Sequence, residues 1–170
     1  MHAADQRRAL REDAAEPPCG KRGVALQVAH DRYRPGTVAD KFKAANRTTT
    51  LFCQIETAEG VKNAEALAAL PGVDCLWVGH FDLSVSLGVP GQFDSKVFKD
   101  AIAKVVTAAD RHKKALGRLV PSVEQGIELN SQGFDFICYS GDVWVLHNAL
   151  AEAIERLRAG CKPKKARSKK

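Results

Sequence analysis

Four short apolar segments, each followed by a stretch with helical periodicity, constrain the fold of this chain most. The segments are 51–55 (LFCQI), 74–78 (DCLWV), 116–120 (LGRLV) and 134–139 (FDFICY). Runs this short and apolar are typical of strands that are buried on both faces. Strand–helix alternation predicts parallel strands joined by right-handed crossovers. We therefore predict an α/β fold, either a doubly wound sheet or part of a (β/α)8 barrel.

The stretches between these segments carry helix start and stop signals. Thr57, Ser122 and either Asp94 or Ser95 are placed to cap the first turn of a helix, and Gly133 is placed to end one. A last amphipathic helix is expected over 143–159. Neither G-x-G-x-x-G nor G-x-x-x-x-G-K-[ST] occurs, so nucleotide-binding versions of the doubly wound sheet gain no support.

Residues 1–50 differ from the rest of the chain because they contain no convincing strand. Helices are predicted over 5–15 and 37–45, on either side of a turn-rich loop from Pro17 to Gly23. We expect three parts: a helical and loop segment over 1–50, a (β/α)4 domain over 51–160, and a basic, disordered tail over 161–170.

The net charge of +6 comes from that tail. The last nine residues contain six Lys or Arg and no acid, so the rest of the chain is neutral. A basic tail of this kind can act as a nuclear-localisation or polyanion-binding patch, but the simpler interpretation is a solvated end. Apart from this tail, nucleic acid is not an expected partner.

Membrane insertion and secretion are not expected. No apolar run approaches the roughly 20 residues that a membrane helix needs, and no apolar stretch follows the basic residues near the N-terminus. The five cysteines form no C-x-x-C pair, so neither a zinc site nor a disulfide framework is predicted. Cys53, Cys75 and Cys138 lie in apolar runs and are expected to be reduced core residues. We expect a cytoplasmic protein.

Two acidic residues follow neighbouring predicted strands. Glu56 ends the first strand and Asp82 lies just beyond the second, 26 residues later, which is one βαβ step. Parallel neighbours lie roughly 4.8 Å apart, and two carboxylates this close can chelate a hard divalent cation. Gly79 permits a tight turn, and the amides of Phe81 and Asp82 are placed to face an anion. An acid at a strand end is also often only a helix cap, so the residues alone leave both interpretations open.

The segment around these acids resembles a known enzyme family. QIET at 54–57 and GHFDLS at 79–84 are similar to the Q-I-E-T strand end and G-x-x-D-L-S loop of the HpcH/HpaI aldolases, the class II pyruvate aldolases related to citrate-lyase-type enzymes. The loop from Pro17 to Gly23 resembles the PP-x-G-x-RG segment that precedes the metal strand in that family. The resemblance spans about 5–160 and is strongest over 51–93.

This resemblance implies a fold, a site and a reaction. The four strands match the last four of a (β/α)8 barrel, so the chain is expected to form a partial, half TIM barrel. Glu56 and Asp82 are implied as ligands of Mg²⁺, Mn²⁺ or Co²⁺, and the Gly79–Asp82 backbone as the site for the carboxylate of a pyruvate-type 2-oxo acid. The implied reaction is metal-dependent cleavage of a 4-hydroxy-2-oxo acid to pyruvate and an aldehyde.

The resemblance also shows what this chain lacks. The earlier barrel strands, which would carry an acid–base histidine in a G-E-H motif and a substrate-binding arginine, have no counterpart. His80 and Arg118 are the candidates within this chain to replace them. Two alternatives therefore remain: a decarboxylase with the same metal chemistry, or a non-catalytic remnant that acts as a binding or oligomerisation module. Half a barrel exposes strand edges and an apolar face, which favours a homo-oligomer.

Overall fold

Four parallel strands form one sheet in the order in which they occur along the chain. The computed structural model describes residues 13–161, so most of the predicted 5–15 helix and of the basic tail lie outside the described residues. The strands are β1 (Phe52–Ile55), β2 (Cys75–Val78), β3 (Ala115–Val120) and β4 (Phe136–Tyr139), paired in the order β1-β2-β3-β4. Each observed strand lies within two residues of its predicted bounds. A doubly wound sheet reverses its strand order at a switch point, whereas this order matches a sector of a (β/α)8 barrel.

A helix follows every strand. The helices are α1 (Val38–Thr48), α2 (Ala58–Ala68), α3 (His80–Ser86), α4 (Lys96–Arg111), α5 (Val123–Ser131) and α6 (Asp142–Gly160), with a 3₁₀ turn at Ala29–Asp31. The short helix α3 was not predicted: the sequence analysis treats 79–93 as a loop, because seven residues are too few to show a helical period.

The predicted helix caps are confirmed. The hydroxyl oxygens of Thr57, Ser95 and Ser122 each accept a hydrogen bond from the backbone N–H three residues later. The structure thus selects Ser95 over Asp94 as the cap of α4. Gly133 follows α5 with a φ of +92°, a conformation that glycine adopts without steric cost. Local hydrogen bonds therefore set these boundaries.

One face of the sheet is covered by helices and holds the core. Paired residues on neighbouring parallel strands point to the same face, so Ile55, Val78 and Arg118 lie side by side on β1, β2 and β3. The apolar core on this side includes residues from the strands, from α2 and from α4: Ile55, Leu76, Val78, Leu116, Val120, Val61, Ala64, Phe98 and Val105. The alternate residues of each strand therefore point away from the helices, to the other face of the sheet.

The other face, which we call the open face, carries three aromatic rings. The ring of Phe52 on β1 lies 4.9 Å from that of Phe136 on β4 and 6.2 Å from that of Trp77 on β2. Flat strands β1 and β4 would lie about 14 Å apart, three spacings of roughly 4.8 Å. The contact is therefore what a sheet curved like a barrel wall gives. Gly117 leaves the space for it, since a Cβ there would lie 2.7 Å from the Trp77 ring.

The cysteines are all free. Cys53 and Cys75 are buried as predicted, and burial, reinforced by the charges of Asp135 and Asp74, raises the pKa of Cys75 to about 11. The prediction that Cys138 is a core residue is wrong. It pairs with Leu119 on the open face and is only partly buried, because no described segment covers that face.

Residues 13–50 form connecting structure without a strand. The predicted helix over 37–45 is confirmed as α1, which extends three residues further and is capped by Thr37. Asn46 connects the loop to α1: its side chain accepts a hydrogen bond from the Glu16 N–H (2.8 Å) and donates one to the Glu16 carbonyl (3.0 Å).

Within the described residues, no helix is both long and apolar enough to cross a membrane.

Candidate metal site

Glu56 directly follows the last residue of β1 and is half-buried. The side-chain amide of Gln54 donates a hydrogen bond to its Oε2. Residues two apart in a strand share a face, and Gln54 pairs with Trp77, whose ring lies on the open face. Glu56 therefore stands at the carboxyl edge of the open face, which would be the mouth of a closed barrel.

Gly79 leaves room for the Glu56 side chain. It follows β2, and its N–H donates a hydrogen bond to the Ile55 carbonyl (3.1 Å). A Cβ at this position would lie 2.8 Å from Glu56 Cβ and 3.1 Å from both Glu56 Oε2 and Gln54 Nε2. The glycine is thus required by the close approach of the Glu56 carboxylate, and not by an unusual φ.

Replacing Gly79 with alanine is expected to weaken metal binding about 10- to 100-fold, the range typical when a group that orients a ligand is disturbed. The new methyl group would displace the Glu56 side chain from its position over the turn. Titration with Mn²⁺ measures the effect, and circular dichroism checks the fold. Gly23→Ala is the matched control, because a Cβ at Gly23 meets nothing within 4 Å. Equal affinities of the two variants would contradict this role of Gly79.

Asp82 lies in the first turn of α3 and is exposed. The Leu83 N–H donates a hydrogen bond to the Gly79 carbonyl (2.9 Å), which closes the turn that carries Asp82. Because Ile55 and Val78 pair at the ends of β1 and β2, Glu56 and Asp82 leave the same edge of the sheet. The first-turn amides of Phe81 and Asp82 have no partner four residues earlier within α3.

His80 is packed among aromatic side chains. Its ring lies 4.7 Å from the Phe81 ring and 5.3 Å from the Phe93 ring, and the residue is buried. Burial and, to a smaller extent, the charge of Arg118 lower the pKa of His80 to about 4, while the charge of Asp82 opposes the shift. This environment favours a packing role over a direct acid–base role.

Arg118 lies on the opposite face of the sheet from Glu56. It pairs with Val78 on the helix-covered face, is buried, and its Cζ lies 5.8 Å from the centre of the Phe93 ring. The structure therefore does not bring Arg118 to the carboxylates. Its placement lends no support to a role as the substrate-binding arginine.

The donor set suits a hard cation with open positions. No group of three or more His, Cys, Asp or Glu side chains that could hold a metal occurs within residues 13–161. Mg²⁺ is commonly bound by one or two carboxylates, with water and substrate completing its coordination shell. Sequence reasoning did not single out Gln54, although its i, i+2 spacing to Glu56 at a strand end was a usable signal.

The comparisons with known proteins show the family of this chain and agree with its fold. The family model described as HpcH/HpaI aldolase/citrate lyase matches residues 2–149. The crystal structure of an HpcH/HpaI aldolase from Desulfitobacterium hafniense superposes with a TM-score of 0.80 at 27% sequence identity, covering 96% of this chain and 64% of that one.

Two curated relatives are similar over most of this chain. A 5-keto-4-deoxy-D-glucarate aldolase from Shigella boydii is 37% identical over 133 residues, which is 78% of this chain and 51% of the relative. A hydroxypyruvate/pyruvate aldolase from Paraburkholderia phytofirmans is 36% identical over 140 residues, 82% of this chain and 53% of the relative. The chain thus spans about half the length of these relatives.

Proposed function

Because this chain belongs to the HpcH/HpaI aldolase/citrate lyase family, we propose that it carries the metal site of a carbon–carbon lyase that cleaves a 4-hydroxy-2-oxo acid to pyruvate and an aldehyde. The observation that supports this most directly is the Glu56 side chain held over Gly79, at the same sheet edge as Asp82. The names of the curated relatives support the aldolase class and a pyruvate-type product.

Glu56 and Asp82 would hold the cation, which is Mg²⁺, Mn²⁺ or Co²⁺. The Gln54 amide fixes one oxygen of Glu56, so that the other oxygen is free to act as a ligand. A bound divalent cation would act as a Lewis acid toward the oxygens of a 2-oxo acid. The amides of Phe81 and Asp82 would orient the substrate carboxylate, since helix first-turn N–H groups favour anions.

None of the described residues is assigned to the proton-transfer step of the reaction. His80 is buried among aromatic rings, and Arg118 lies on the helix-covered face of the sheet, opposite Glu56. A positioned acid–base group is typically worth about 10²- to 10⁴-fold in rate. We therefore expect slow, metal-dependent turnover from this chain alone, with the remaining barrel segments needed for a full rate.

A coupled assay of pyruvate release from a 4-hydroxy-2-oxo acid tests the proposal. Pyruvate release should require Mn²⁺ or Mg²⁺, stop with EDTA, and be absent in Asp82→Ala. Glu59→Ala, which removes an exposed carboxylate in the first turn of α2, is the matched control and should retain activity. Mn²⁺ binding without any pyruvate release would instead favour the non-catalytic remnant, and turnover of oxaloacetate alone would favour the decarboxylase.

We further propose that the chain works as a homo-oligomer in the cytoplasm. Helix α6 has no buried residue and makes few contacts with other described elements. Four of its exposed apolar residues, Leu146, Leu150, Ile154 and Leu157, recur at helical spacing and form one stripe. Monomers rarely expose such patches, so another subunit is a natural partner.

Sedimentation of Leu150→Glu/Ile154→Glu should show smaller species than the parent chain, and unchanged sedimentation would contradict the proposal. Five free cysteines agree with a reducing compartment.

A further inference from the structure

A cavity lies on the helix-covered side of the sheet, on the opposite face from Glu56. Helices α4 and α5 make few contacts with each other, and the space between them is about 710 Å³. Its lining is mixed: the apolar side chains of Phe93, Phe98, Ile102, Val106 and Leu129 face it, together with Arg118, Lys99 and polar or acidic side chains. Cavities of this size suit small organic molecules.

Arg118 lines this cavity as a buried charge that forms no ion pair with any described residue. The residue is 6% exposed, and its Nε has no hydrogen-bond partner. Within the described part of the chain, three buried side-chain polar atoms lack a partner, and two of them, Arg118 Nε and Gln125 Oε1, belong to residues that line this cavity. Buried charges are normally paired, so the site is complete only when something supplies a negative group.

The acidic side chains of the cavity already have partners. Asp94 forms an ion pair with Lys99 at 3.1 Å, and Glu128 accepts a hydrogen bond from the Gln132 side chain at 3.1 Å. Neither forms an ion pair with Arg118. A buried guanidinium beside the Phe93 ring is suited to a ligand with one carboxylate and an apolar body, since guanidinium and carboxylate match in geometry.

We propose that the cavity between α4 and α5 binds a small organic monocarboxylate, with Arg118 pairing its carboxylate and the Phe93–Phe98 side of the cavity packing its apolar part. This site does not use the metal ligands and does not depend on the proposed lyase function. Arg118 stacks on Phe93, whose ring also lies 5.1 Å from the Phe81 ring and 5.3 Å from the His80 ring. The cavity is thus in contact with helix α3, which carries Asp82.

Calorimetric titration of the full chain with benzoate, in EDTA, tests the site. We expect saturable binding of benzoate and much weaker binding of benzamide, which keeps the ring and lacks the charge. Arg118→Met, which preserves length and apolar volume, should weaken benzoate binding about 10- to 100-fold, the equivalent of one charge-assisted hydrogen-bonded pair. Asp82→Ala should bind benzoate like the parent chain.

One further variant and one further ligand make the outcome decisive. Gln125→Glu places a carboxylate in the same cavity and should suppress benzoate binding even if Arg118→Met does not fold. Inorganic phosphate should bind more weakly than benzoate because it cannot use the apolar side chains of the cavity. Unchanged benzoate affinity in Arg118→Met or Gln125→Glu, loss of binding in Asp82→Ala, or equal affinity for benzamide or phosphate would each overturn the proposal.

Discussion

Replacing Asp82 or Glu56 with alanine is expected to reduce Mn²⁺ affinity at least about 100-fold, more than the loss of a group that only orients a ligand. Each substitution removes one of the two carboxylates proposed to hold the cation, and no group of three or more acidic, histidine or cysteine ligands exists among the described residues to replace it. Asp82 is exposed and Glu56 half-buried, so the fold should persist. Mn²⁺ titration followed by water-proton relaxation measures the effect directly.

Two controls separate loss of a ligand from general damage. Glu59→Ala removes an exposed carboxylate three residues from Glu56 and should bind Mn²⁺ like the parent chain. Gln54→Leu removes the amide that holds Glu56 Oε2, and its effect should be intermediate, about 10- to 100-fold. If both Asp82→Ala and Glu56→Ala bound Mn²⁺ like the parent, the metal-site assignment would be wrong.

Phe134→Ala is expected to cost roughly 3–5 kcal/mol of unfolding free energy, a large part of the roughly 5–15 kcal/mol typical of a domain. The Phe134 side chain is fully buried, just before β4 on the helix-covered side of the sheet. Removing its ring leaves a cavity that rigid neighbours cannot fill. Urea denaturation followed by circular dichroism gives the change in free energy.

Phe136→Ala, two residues further along, is the matched control for this experiment. Phe136 is 49% exposed on the open face and contacts the Phe52 and Trp77 rings. Losing those ring contacts should cost only about 1 kcal/mol. Equal costs at both positions would mean that another subunit or segment covers the open face under the conditions of the measurement.

Much of the fold was predictable because its signals are local. Short apolar runs identified the four strands, and hydroxyl side chains such as Thr57 and Ser122 fixed helix starts through hydrogen bonds within one turn. The spacing of Glu56 and Asp82 predicted that both leave neighbouring strands at one edge, and the register of Ile55 with Val78 agrees. Such inferences require only strand period and direction, which a sequence carries.

Other features depended on side chains that are distant in sequence. Cys138 has the same apolar surroundings in the sequence as Cys53, yet only Cys53 faces helices. Arg118 could not be assigned to a face until β3 was paired with β2, because a shift of one residue reverses every side chain in a strand. The contact between Gly79 and Glu56 likewise exists only once both strand ends are in register.

The amino-acid sequence by itself determined the strand–helix alternation, the helix caps, the family and the pair of candidate metal ligands, since each depends on residues close together along the chain or on a recognisable motif. Only the tertiary structure decided which sheet face is covered, that the sheet curves enough for Phe52 to contact Phe136, and that Arg118 lies in a cavity behind the sheet. The physical reason is that burial and pairing are properties of surfaces brought together by folding, and those surfaces come from segments up to about half the chain apart.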